Sequence, residues 1–125
     1  MKHSANRSLG SAGEEIAVQW LNGHGFHILA RNVRTAYGEL DLVAERAGVV
    51  HVIEVKTRRS TGFGVPLEAI DTRKQQHLRR STLAALKAGL LGIGHECRDV
   101  HIDAIGIILS DASAPEIEYV EDILA

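Results

Sequence analysis

Cysteine, proline and aromatic residues are all scarce in this 125-residue chain, which has one Cys, two Pro, one Trp, two Tyr and two Phe. The single cysteine, Cys97, excludes an internal disulfide framework, and without a CxxC partner it excludes the common zinc-binding patterns. An aromatic fraction of 4% argues against a platform that grips single-stranded nucleic acid by stacking many bases. Long apolar runs are missing too. AIGIIL at 104–109 falls far short of the roughly 18 residues of a membrane span, and MKHSANRSLG has no apolar signal-peptide core, so a soluble cytoplasmic protein is expected. Positive charge nearly disappears towards the end: positions 91–125 hold one Lys or Arg against eight Asp and Glu, whereas positions 1–90 hold 13 against eight. The net charge of -2 therefore conceals a basic region suited to a polyanion and an acidic 91–125 segment suited to a protein partner.

What is present fits one domain, residues 10–125, with a disordered arm expected over 1–9 and a hydrophobic fraction of 45% for a single core. In SAGEEIAVQWLNG at 11–23, Ile16, Ala17, Trp20 and Leu21 recur at helical spacing and Asn22-Gly23 supplies the stop. FHILARN (26–32), GELDLVA (38–44) and VVHVIEVKT (49–57) read as strands, the last two joined into a hairpin by ERAG. A second helix is expected over Thr72 to Lys87, capped by Asp71, with Leu78, Thr82, Ala85 and Leu86 on its apolar face. VHIDAIGIIL (100–109) reads as a buried strand and EIEYVEDIL (116–124) as an edge strand. Strand, helix, strand is the order of a crossover unit, which makes the third and fourth strands parallel and the fold class α/β.

Asp41, Glu54 and Lys56 interrupt the two apolar runs of the hairpin. Strand alternation puts Glu54 and Lys56 on one face and sets Asp41 opposite in sense to Leu40 and Leu42, so two carboxylates and an ammonium can meet. Phosphodiester hydrolysis needs such a group. Mg²⁺ takes one or two carboxylates together with carbonyls, waters and substrate phosphate, so Asp41, Glu54 and the Val55 carbonyl are candidate ligands. Lys56 is the candidate for orienting the attacking water or stabilising the growing charge. A solvent-facing hairpin with a simple ion pair shows the same alternation.

The ordered motifs GEEIAVQWL (13–21), GELDLVA (38–44), HVIEVKTR (51–58), FG (63–64) and a lysine on the next helix resemble the bacterial YraN family of predicted endonucleases. That family is similar to a branch of the PD-(D/E)xK nuclease superfamily near the archaeal Holliday-junction resolvases. The likeness runs from about Gly10 to Ile107. It implies a restriction-endonuclease-like mixed central sheet flanked by helices, and a Mg²⁺- or Mn²⁺-dependent endonuclease acting on DNA, branched or otherwise structured. By analogy with resolvases it also implies a homodimer. Residue by residue, the metal-binding Asp falls on Asp41, the second acid on Glu54, the lysine on Lys56 and the helix-one acid of the resolvase branch on Glu14; Leu40 stands where the pattern usually has Pro. Glu14 has a structural alternative, because Ser11 to Glu14 also spells an S-x-x-E capping box. Glu39 is a lesser candidate, as a metal assistant or an arginine's partner.

Arg58 and Arg59 follow the site strand, and the segment STGFG with Phe63 comes next, a combination able to hold and cover a phosphate backbone. On the second helix Arg73, His77, Arg80 and Lys87 form a basic stripe opposite Leu78, and Lys74, the family's helix lysine, stands at the active-site edge. His95, Glu96, Cys97, His101 and Asp103 fit neither HExxH nor finger spacing, and Asp103 is expected to be an internal partner for a basic residue. The alternative class is a non-catalytic module on the same fold that binds nucleic acid or a protein partner.

Overall fold

The central strands are apolar at consecutive positions, so both faces of their sheet must be covered. The computed structural model describes residues 2–59, 67, 70–91 and 99–124, with side chains from residue 9 onward. In chain order the elements are α1 (Lys2–Gly23), β1 (His27–Thr35), β2 (Gly38–Arg46), β3 (Val49–Arg59), α2 (Thr72–Lys87), β4 (Val100–Leu109) and β5 (Glu116–Val120). The sheet order is β1-β2-β3-β4-β5, with β3 and β4 parallel and every other pair antiparallel. This is an α/β fold, a five-stranded mixed sheet with a helix on each face, consistent with a restriction-endonuclease-like architecture.

α2 occupies the expected residues, and the Asp71 carboxylate caps it by accepting from the Lys74 N–H at 2.9 Å. Its Leu78 and Ala85 pack on Leu40, Val43, Val50, Val52 and Ile102, which form one side of the core. Ala17 and Leu21 of α1, with Phe26, cover the other side, built on Leu42, Ala44, Ile53, Ile105 and Ile107. No helix among the described residues is long and apolar enough to cross a membrane.

β2 and β3 each run two residues past their expected ends, and three other elements depart further from the sequence reading. The backbone of the segment expected as an arm is helical from Lys2, so α1 starts nine residues before Ser11; KHSANRSLG holds no proline to block a helix. β1 runs on to Thr35, while Phe26 lies just before it as a buried residue with the Arg46 guanidinium 4.0 Å from its ring centroid. β5 stops at Val120 because Asp122 takes a left-handed φ of 57° and the Ile123 N–H donates to the Ile102 carbonyl at 2.8 Å. This turn carries Ile123 and Leu124 round to the α2 side of the core.

Asp103 is the internal partner expected of it. Fully buried in β4, it accepts from His51 Nδ1 at 2.5 Å, from the Tyr119 hydroxyl and from the Asp122 N–H at 2.8 Å. Burial, together with this carboxylate, pushes the Tyr119 hydroxyl far above its ordinary range. The network ties β3, β4 and β5 together on the α1 side of the sheet, whereas Glu54, next to the Ile53 that pairs with Asp103, faces α2.

The ERAG turn is a two-residue hairpin loop between Arg46 and Val49, with φ of 53° at Ala47 and 79° at Gly48. Two left-handed residues define a type I′ turn, for which Asn-Gly is the favoured pair and alanine is strained. Ala47→Asn is expected to raise stability by about 0.5–1 kcal/mol, as read from urea midpoints at unchanged m-value.

Candidate active site

The site originates in a break of alternation on β2. Leu40 belongs to the α2 side of the core and Leu42 to the α1 side, so the expectation that both oppose Asp41 in sense is corrected. Opposite the break stands Asn32. It lies across from Asp41, between the pairs Arg31↔Leu42 and Val33↔Leu40, with a φ of 52° that asparagine tolerates better than most residues. The β2–β3 pairing, which starts at Arg46↔Val49, reaches only to Leu42↔Ile53. Beyond that pair the Asp41 side chain takes over the role of a strand carbonyl: Oδ2 accepts the Val55 N–H at 2.8 Å. The N–H and C=O of one strand residue point to the same side, so the Val55 carbonyl is turned towards the same gap.

Glu54 lies on β3 in step with Val50 and Val52, facing α2, and is 4% exposed. Its Oε1 stands 3.4 Å from Lys74 Nζ and 3.7 Å from Lys56 Nζ. Its Oε2 is buried and has no hydrogen-bond partner among the described residues. A buried carboxylate oxygen left unsatisfied is costly unless something absent from the bare chain completes it.

Glu14 approaches from α1. Its Oε1 accepts from Asn32 Nδ2 at 3.1 Å and Arg31 Nε at 3.3 Å, while Glu15 takes the other arm of Arg31 at 2.8 Å. The capping-box alternative for Glu14 falls, because Ser11 is inside the helix. Gly13 allows the approach: a Cβ there would sit 1.8 Å from Thr57 Oγ1 on β3. Glu14, Asn32, Asp41, Val55 and Lys56 line one cavity of about 560 Å³. Glu39 lies at its edge, exposed and paired with Arg34 at 3.6 Å.

Two acids thus press on Asp41. Burial, then the Glu54 charge, push the Asp41 carboxyl up to about 7 from its ordinary 3.8, with Glu14 adding to the rise; the Val55 N–H and Lys74 oppose it. The donor set consists of hard oxygens, one of them unpartnered, around a carboxyl reluctant to ionise alone. These residues fit a divalent cation such as Mg²⁺ or Mn²⁺. No group of three or more His, Cys, Asp or Glu side chains among the described residues is arranged to hold an ion by itself, so the fit is to an ion whose shell is completed by carbonyl, water and phosphate.

The fold therefore brings Asp41, Glu54, Lys56, Lys74 and Glu14 into one neighbourhood. Arg58 and Arg59 are exposed at the end of β3, and Arg73, His77, Arg80 and Lys87 lie on the exposed face of α2, outside the acidic group. Phe63 and the rest of STGFG, with His95, Glu96 and Cys97, lie outside the described residues. Sequence reasoning missed Asn32 and Gly13. The available signals were an asparagine inside a strand pattern and a glycine next to an acid on a helix.

The family model described as "Uncharacterised protein family UPF0102" matches residues 13–107. Similar proteins include a "UPF0102 protein" of Trichlorobacter lovleyi, 40% identical over 92% of this chain and 88% of the relative. A "UPF0102 protein" of Syntrophomonas wolfei is 41% identical over 87% of this chain and 91% of the relative. A third, from Acidothermus cellulolyticus, is 42% identical over 94% and 93%.

Proposed function

The chain belongs to the UPF0102 family, and from that premise we propose that it is a divalent-metal-dependent endonuclease hydrolysing phosphodiester bonds in DNA, branched or otherwise structured DNA above all. The observation that carries this reading is the buried Glu54 oxygen left without a partner beside Asp41, whose carboxyl burial and then the Glu54 charge push up. The resemblance to the YraN family, the PD-(D/E)xK nucleases and the resolvases supports the same chemistry.

Asp41, Glu54 and the Val55 carbonyl would hold Mg²⁺ or Mn²⁺. Bound there, the ion supplies Lewis-acid polarisation of a phosphoryl oxygen and acidification of water. The chain's own groups do the rest. Val55 N–H fixes the Asp41 carboxylate, and Lys74 holds Glu54 in place from α2. Lys56, 31% exposed and beside Glu54, orients the attacking water or neutralises charge growing on the phosphoryl oxygens. Glu14, held by Asn32 and Arg31, adds a third carboxylate on the cavity's helix side. Arg58, Arg59 and the α2 stripe of Arg73, His77 and Arg80 meet backbone phosphates, which gives steep salt dependence and little sequence preference.

The test is cleavage of duplex, junction, flap and single-stranded DNA with Mg²⁺ or Mn²⁺ against EDTA. Metal-dependent nicking is expected, and Lys56→Met should slow it by about 100-fold, the scale of losing one positioned charge donor. DNA binding that persists in EDTA with no cleavage of any substrate would instead make the protein a non-catalytic binding module.

A further inference from the structure

Tyr37 is 55% exposed, the most exposed large hydrophobic residue among those described. The turn fixes the backbone that carries it. The Tyr37 N–H donates to Thr35 Oγ1 at 3.1 Å, and that hydroxyl donates to the Gly38 carbonyl at 2.8 Å. Gly38, at a φ of 141° that favours glycine, rests against α2, where a Cβ would come 3.3 Å from Ser81 Oγ.

The ring borders two cavities. One, of about 400 Å³, is shared with Arg80, Leu83 and Lys87 of α2. The other, of about 270 Å³, is shared with Lys74 and His77 and with Glu39, the acid that pairs with Arg34, and Lys74 Nζ is the ammonium 3.4 Å from Glu54. Tyr37 therefore stands between the edge of the acidic site and the basic stripe. An exposed aromatic ring flanked by cations binds a nucleotide by stacking its base and pairing its phosphates, and the stacking tolerates any base. In a continuous duplex the bases stack on one another and offer this ring no face.

We propose that Tyr37, with Arg80 and Lys87, forms a subsite that stacks one unpaired nucleotide of DNA beside the scissile phosphate. The inference rests on the endonuclease reading for what lies next door, and it narrows the substrate to DNA with an unpaired nucleotide at or near the cut.

Fluorescence anisotropy in EDTA separates binding from cleavage, using a duplex with a single-stranded tail and a blunt duplex of equal length. Tyr37→Ala should weaken binding of the tailed duplex by about 5- to 100-fold, the range for losing one base stack, and leave the blunt duplex unchanged. Tyr37→Phe should bind like wild type, and an abasic first tail nucleotide should erase the difference between wild type and Tyr37→Ala. The proposal is overturned if Tyr37→Ala weakens both DNAs equally or neither, or if the difference survives the abasic substitution. A wild type that shows the Tyr37 dependence yet cuts no DNA removes the endonuclease reading and keeps the subsite. Metal-dependent cleavage with no Tyr37 dependence does the reverse.

Discussion

Asp41→Asn is expected to make the metal-free protein more stable above pH 7 while abolishing DNA cleavage. The folded chain holds the Asp41 proton up to about pH 7, against an ordinary value of 3.8, because burial and the Glu54 charge oppose ionisation. A raised carboxyl pKa means that the stability it contributes is complete below the unfolded value and is lost as pH rises through the folded value. Between pH 4 and pH 7 wild type should therefore lose stability that the asparagine variant, which cannot ionise, keeps. The substituted amide retains an oxygen for the Val55 N–H, so the gap between β2 and β3 survives the change. Melting curves in EDTA should coincide near pH 4 and separate by several degrees at pH 8, the variant higher. Added Mn²⁺ should raise wild type and leave the variant where it was. Cleavage should fall about a thousandfold or more, since a metal site supplies several kcal/mol of charge stabilisation at 1.36 kcal/mol per decade. A variant less stable than wild type at both pH values would mean that Asp41 serves the fold.

Gly13→Ala should harm both stability and activity, whereas Gly10→Ala, three residues earlier in α1, should help stability. Alanine is the better helix former, so where nothing lies within 4 Å, as at Gly10, it should gain about 0.5–1 kcal/mol. At Gly13 the added methyl would meet Thr57 Oγ1 at 1.8 Å and Thr57 Cβ and Cγ2 at 2.8 Å. The helix must then lift off β3, at a cost of about 1–3 kcal/mol for overpacking. Glu14 moves with the helix, and Thr57 follows Lys56 directly, so cleavage should drop by about 100-fold, the effect of misplacing a site by an ångström. Thr57→Ala removes two of the three clashing atoms, so the double variant should recover part of the loss, a coupling that a double-mutant cycle measures. Equal stability of Gly13→Ala and wild type would contradict the close approach.

The elements and the chemistry of the residues were legible in the order of amino acids. Period and capping placed α2 and β4 at their observed limits, because Asp71 before a helical apolar stripe and an unbroken run of buried positions leave little choice. The strand, helix, strand order gave the parallel β3–β4 pair. The acids and Lys56 stood out because charge inside an apolar strand is costly without a purpose.

How those acids meet depends on packing. Strict alternation would have put Leu40 and Leu42 on one face; the step changes at Asp41, across from Asn32 in the left-handed region on a neighbouring strand. The ladder beyond Leu42↔Ile53 gives way to a side chain on the Val55 N–H, a long-range substitution that no local pattern records. Helix α1 brings Glu14 in because Gly13 has no side chain where Thr57 stands, and α2 brings Lys74 to Glu54 from the opposite face. Residue type is local and can be read in order along a chain. The charge, burial and spacing that turn such residues into one site depend on elements far apart in sequence, and only their assembly fixes them.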